Sequence, residues 1–119
     1  MKVLIADDDR LARAMLADLL AELGHSVVQA ENGADAVALA GREAPDVLVL
    51  DFLMPRLSGL DAVRAMRAQG VRAPALLLTA ISDGSVRGVE GSEAVDLVLA
   101  KPVSRRTLER ALARVSPAP

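Results

Sequence analysis

The chain of 119 residues has no cysteine. That excludes disulfides, a thiol nucleophile and thiolate metal ligands. Tryptophan and tyrosine are also missing and phenylalanine occurs once, so the hydrophobic fraction of 52% is carried by Ala, Leu and Val. The core must be aliphatic, which suits a buried parallel sheet. There is no excess of positive charge either: the formal net charge is −2, with a pI near 5.3. This gives no general attraction to nucleic acid or to an anionic membrane. No apolar run approaches the ~18 residues that would span a bilayer. The start, MKVLIADDD, reaches three acids too soon for a signal peptide, so the cytoplasm is the expected compartment. The single histidine, His25, follows Gly24 in an expected turn and reads as a surface residue. A chain of this length without low-complexity stretches fits one domain over residues 1–119. Its last residues, 116–119 (SPAP), cannot continue a helix and read as a tail or the start of a linker.

What is present is a rhythm. Short apolar runs alternate with longer amphipathic stretches, the pattern of βαβ units with a parallel sheet and helices on both faces. Strands are expected at Lys2–Ala6, in SVVQAE, at Val47–Leu50, at Ala75–Leu78 and at Asp96–Ala100. Between the first two, LARAMLADLLAELG predicts a helix that presents Leu11, Met15, Leu19 and Leu20 and stops at Gly24. A second helix, ADAVALAGRE, follows the turn signal Asn32-Gly33 and is closed by Ala44-Pro45. A third, LDAVRAMRAQG, carries Leu60, Val63 and Met66 on one face. The fourth should lie in SDGSVRGVEGSEA, where Gly84, Gly88 and Gly91 each cost ~0.8–1.0 kcal/mol relative to Ala, so it should be short or mobile. Ser104 caps the last helix, whose Leu108, Leu112 and Val115 share a face. Its Arg105, Arg106, Arg110 and Arg114 read as a solvated basic side. Together these elements give a doubly wound (βα)5 fold with a five-stranded parallel sheet in the order 2-1-3-4-5.

Four of the apolar runs end on groups suited to metal or phosphate chemistry. They close on Asp7 and Asp8, on Asp51, on Thr79 and on Lys101. In an open α/β sheet these ends converge on one edge, where such folds bind their ligands. Adjacent acids repel by roughly 4 kcal/mol at about 4 Å and an effective dielectric of 20, so something should neutralise them. Oxygen ligands without His or Cys suit Mg²⁺, with Mn²⁺ as a second choice. A carboxylate at Asp51, followed by the proline turn FLMPRLSG, can be a metal ligand, a general base or a nucleophile that accepts a phosphoryl group. Lys101 and the Thr79 hydroxyl would then stabilise phosphoryl oxygens, with Pro102 fixing an extended backbone that aims the lysine across the pocket.

These residues resemble the receiver domain of two-component response regulators, from the first strand to the last helix. DFLMPRLSG is similar to the family's D-x-x-M-P-x-x-x-G signature, and Lys101-Pro102 to its Lys-Pro pair. The resemblance implies Asp51 as phosphoacceptor and Mg²⁺ held by Asp7, Asp8, Asp51 and the backbone carbonyl of Leu53, with Asp8 a direct ligand. It implies Thr79 as the switch hydroxyl and phosphotransfer from a sensor histidine kinase or phosphotransfer protein. The partner downstream would be an output domain or effector protein, and a homodimer is compatible with the family. Val98 stands where many receivers carry an aromatic switch residue, and the segment around residues 84–91 is expected to change most on phosphorylation. Leu53 and Ile81 are apolar where the resemblance places them beside the phosphoryl group, so slow autodephosphorylation is expected. Two other readings remain: a phosphorylation-independent adaptor, and a Mg²⁺-dependent phosphohydrolase of the haloacid-dehalogenase class. The latter uses a second acid two residues after its nucleophile, where this chain has Leu53.

Overall fold

The computed structural model describes residues 1–80 and 92–116. Five strands, β1 (Lys2–Ala6), β2 (Ser26–Ala30), β3 (Val47–Asp51), β4 (Ala75–Thr79) and β5 (Leu97–Ala100), form one parallel sheet in the order β2-β1-β3-β4-β5. The helices α1 (Arg10–Glu22), α2 (Gly33–Glu43), α3 (Gly59–Ala68) and α4 (Arg105–Val115) provide the connections and the cover. The expected architecture and strand order are therefore present. The helix expected before β5 falls largely outside the described residues, as do Ile81, Gly84, Gly88 and Gly91; a short 3-10 helix, Ser92–Ala94, precedes β5.

Alternation along the strands divides the core in two. Leu4, Ala6, Leu48, Leu50 and Leu77 face α2 and α3, meeting Ala36, Ala40, Leu60, Val63 and Met66. Val3, Ile5, Val47, Val49, Leu76 and Leu78 face the other way, against Leu16, Ala17 and Leu20 of α1 and Leu108 and Leu112 of α4. β3 and β4 are buried on both faces, which is why they read as unbroken apolar runs. Each fully buried leucine contributes ~1.5–3 kcal/mol of transfer free energy.

Two expectations need correction. The apolar face of α1 is Leu16, Ala17 and Leu20, whereas Leu11 and Met15 are 69% and 64% exposed. The helix is so rich in Ala and Leu that more than one apolar stripe fits its period, and packing on β1 and β2 selected the other one. His25 is half-buried rather than on the open surface. Its Nδ1 lies 3.1 Å from the N-terminal amine, and burial, then that amine's charge, lowers its pKa.

Capping sets the helix starts. Asn32, Ser58 and Ser104 accept from the amides of Asp35, Asp61 and Thr107. Asn32-Gly33 is thus the start of α2 rather than a free turn. No described helix is long and apolar enough to cross a membrane.

Candidate phosphoacceptor and metal pocket

The parallel register brings the expected residues to one edge. Ala6 lies opposite Leu50, Asp51 opposite Leu78 and Thr79 opposite Ala100, so Asp7, Asp51, Thr79 and Lys101 occupy successive strand ends. Asp7, Asp51 and Thr79 are buried, and Asp8 is exposed. One carboxylate oxygen from each of Asp7, Asp8 and Asp51 falls within 4.8 Å of the other two. The Lys101 ammonium lies 3.2 Å from Asp51 Oδ1 and 3.5 Å from Asp7 Oδ2. The bond from Lys101 to Pro102 is cis, and the lysine reaches both acids from the end of β5.

Asp9 and Arg13, which carried no role in the sequence reading, organise the first strand's end. Asp9 caps α1 by accepting from the amides of Leu11 and Ala12, so the third of the consecutive acids belongs to the helix and not to the cluster. An acid immediately before an amphipathic run is the signal for that role. Its own amide donates to Asp7 Oδ1 at 2.9 Å, and Arg13 Nη1 donates to the Asp7 carbonyl at 2.8 Å. Asp7 is thereby held by both oxygens, one by the Asp9 amide and the other by Lys101. Asp8 carries the exposed carboxylate.

The end of β3 is fixed through its neighbour. Phe52 donates its amide to the Leu78 carbonyl at 2.7 Å and accepts from the Gly59 amide at 2.9 Å. The chain between them forms a loop in which Met54 is buried and Leu53 is 63% exposed, two residues beyond Asp51. Thr79 ends β4, and its carbonyl accepts the Lys101 amide at 2.9 Å.

Burial raises the Asp51 pKa, and the charge of Asp7 adds to the effect; Lys101 opposes it. Burial would lower the Lys101 pKa, but Asp51 and then Asp7 outweigh it, so the ammonium form is held more firmly than usual. Three carboxylates facing one ammonium leave a surplus of negative charge. All available donors are hard oxygens, a set that fits Mg²⁺ or Mn²⁺ and offers nothing to a softer ion.

Beside Asp7 and Lys101 opens a mostly apolar cavity of about 350 Å³, walled by Met15, Leu16, Leu19 and Val103. Among the described residues the exposed large hydrophobics are Leu11, Met15 and Leu53, on elements that meet this edge.

Comparison with known proteins agrees with this fold. The family described as the response regulator receiver domain matches residues 3–113. The response regulator MprA of Mycobacterium leprae is 41% identical over 115 residues, covering 97% of this chain and 49% of that protein. The chain thus spans about half the length of the curated relatives it matches. Among solved structures, the Vibrio cholerae chemotaxis protein CheY4 superposes with a TM-score of 0.88 at 33% identity, covering 96% of this chain and 97% of that one. The response regulator TrrA of Thermotoga maritima, solved in complex with Mg²⁺ and BeF, gives a TM-score of 0.87 at 30% identity, covering 96% of this chain and 97% of that one.

Proposed function

The chain belongs to the response regulator receiver domain family, and from that premise we propose that Asp51 accepts a phosphoryl group from the phosphohistidine of a sensor histidine kinase or phosphotransfer protein. The observation that carries the proposal is the position of Asp51: a buried carboxylate at a strand end, between two further acids and an ammonium 3.2 Å away. An Asp51 oxygen attacks phosphorus, the new O–P bond replaces the P–N bond, and the donor imidazole leaves with the electron pair and takes a proton from solvent.

Mg²⁺ would be held by Asp8, Asp51 and the Leu53 carbonyl, and would neutralise charge on the phosphoryl oxygens. Asp7, already engaged by the Asp9 amide and by Lys101, supports Asp8 as the direct ligand of the acidic pair. Lys101 transfers its ion pair from the Asp51 carboxylate to the incoming phosphoryl oxygens, and Thr79 donates its hydroxyl to one of them. The added charge of about −1.5 to −2 shifts a pre-existing equilibrium between two arrangements, and the shifted state controls an output domain or effector.

The apolar cavity and the exposed Leu11 and Met15 support docking of an amphipathic kinase helix beside the pocket. Leu53 supplies no acid or base, which counts against a phosphohydrolase. We place the whole chain, 1–119, in one receiver unit working in the cytoplasm.

Incubation with acetyl phosphate and Mg²⁺ should add one phosphoryl mass to the chain and none to Asp51→Asn. Equal labelling of the two would refute the assignment. Loss of labelling without Mg²⁺ separates this reading from a phosphorylation-independent adaptor.

A further inference from the structure

At the sheet edge opposite the carboxylates, two residues outside the pocket hold the starts of β4 and β5 together. Arg67, in the last turn of α3, donates from Nη1 to the carbonyls of Val71 at 3.0 Å and Ala73 at 2.7 Å. From Nε and Nη2 it donates to the Ala94 carbonyl at 3.2 and 2.9 Å. Asp96 forms a two-way bracket with Ala75: its Oδ2 accepts the Ala75 amide at 2.8 Å, and its amide donates to the Ala75 carbonyl at 2.9 Å. Arg67 Nη2 lies 3.5 Å from that same Oδ2. The ion pair is partly exposed and contributes little by itself. The hydrogen bonds matter more, because they tie the approaches to both strands to one guanidinium.

This end of the sheet needs such a bracket. β5 has four residues, all incompletely buried, and among the described residues it pairs on one side only. Its pairing runs from Leu76 opposite Leu97 to Thr79 opposite Ala100. A one-residue slip would turn every side chain of the strand to the other face and carry Lys101 about 3.3 Å along it. At the far end, the same register delivers the Lys101 amide to the Thr79 carbonyl and the ammonium to Asp51.

We infer that Asp96, steadied by Arg67, is a positioning residue for Lys101. The bracket on Ala75 sets the register of β5 on β4, and the register sets where the ammonium stands against the phosphoryl group. The carboxylates of the metal cluster follow β1 and β3 and do not depend on it. The inference rests on the phosphoacceptor reading of Asp51.

The test compares the whole chain with Asp96→Ala and Asp96→Asn, each checked by a thermal melt to be folded at the assay temperature. Asp96→Asn keeps an oxygen for the Ala75 amide; Asp96→Ala does not. Asp96→Ala is expected to take phosphate from phosphoramidate about tenfold more slowly, the scale of a modest misplacement of a reacting group. Mg²⁺ affinity, read from amide shifts of Asp8 and Asp51, should not fall, and hydrogen exchange at the Lys101 amide should accelerate. Asp96→Asn should restore both rate and protection. A wild-type rate in Asp96→Ala, equal slowing in the two variants, or a parallel loss of Mg²⁺ affinity would overturn the inference. If Asp96→Ala does not fold, Arg67→Lys, which removes the forked donors and keeps the charge, should show the same split; wild-type behaviour there overturns it. Failure of the wild-type chain to take phosphate would instead defeat the phosphoacceptor reading, and protection of the Lys101 amide would still decide the register.

Discussion

Gly59, at the start of α3, packs directly against the backbone of Asp51. A β-carbon at position 59 would overlap the Asp51 carbonyl oxygen and stand 2.8 Å from Leu77 Cδ1, so the helix can approach the end of β3 only with glycine there. Gly59→Ala must therefore move backbone rather than a side-chain tip. We expect a loss of ~1–3 kcal/mol in urea unfolding, the usual cost of overpacking. Slower phosphate uptake should accompany it, since the displaced group is Asp51 itself. Wild-type stability would contradict the close contact.

The raised pKa of Asp51 has a sign that can be measured. Burial and Asp7 make the folded state hold this proton more tightly than the unfolded chain does. As pH rises, the unfolded chain loses its proton first, near the ordinary value of about 4, and stability falls until the folded carboxyl has also ionised. Asp51→Asn removes that decline. Its urea midpoint should exceed the wild-type midpoint at pH 7 without Mg²⁺, and the gap should close as pH falls toward ~4. Identical midpoints at pH 7 would speak against a strained carboxylate.

Metal and Lys101 answer the same surplus of negative charge, so they should oppose one another. At a hundred times its Kd, Mg²⁺ should stabilise the chain by about 2.7 kcal/mol. Asp8→Asn should abolish that gain and leave the metal-free fold intact, because Asp8 is exposed. Lys101→Met should lower metal-free stability by roughly 1 kcal/mol, the upper range for a partly exposed pair, and should tighten Mg²⁺ binding. Calorimetric titration with Mg²⁺ distinguishes this from an independent lysine, for which the affinity would not change.

Leu53 offers no group to orient attacking water, and its side chain is largely exposed beside Asp51. The phosphorylated chain should therefore persist for many minutes. Leu53→Glu should shorten that lifetime by about tenfold or more, in line with what a positioned general base contributes. A wild-type lifetime of seconds, measured by loss of the phosphoryl mass, would refute the idea.

Much of this was legible before the fold was known, for identifiable reasons. β1 and the starts of β3 and β4 fall where the apolar runs place them, because strands buried on both faces leave continuous hydrophobic sequence. Their polar ends marked Asp7, Asp51 and Thr79 for the same reason. What escaped depends on packing or on partners distant in sequence. Leu11 and Met15 fit the helical period as well as Leu16 does, and only the sheet beneath α1 separates them. Arg67 finds its acceptor at Ala94 across 27 positions, a separation no local pattern encodes. Asp9 was within reach, since a helix cap has a sequence signature, but the run of acids was read for Asp7 and Asp8 and left Asp9 without a role.

The double tie at Phe52 makes the segment after Asp51 exchangeable. Its ends are joined where the Gly59 amide meets the Phe52 carbonyl at 2.9 Å, while Met54 and Leu57 root it in the core. Leu53, Pro55 and Arg56 face solvent on this frame, with Arg56 in the left-handed region at φ 69°. Such a segment behaves as a cassette. On the phosphoacceptor proposal, its outward positions can diversify, and so retime the loss of a phosphoryl group, while β3 keeps its place.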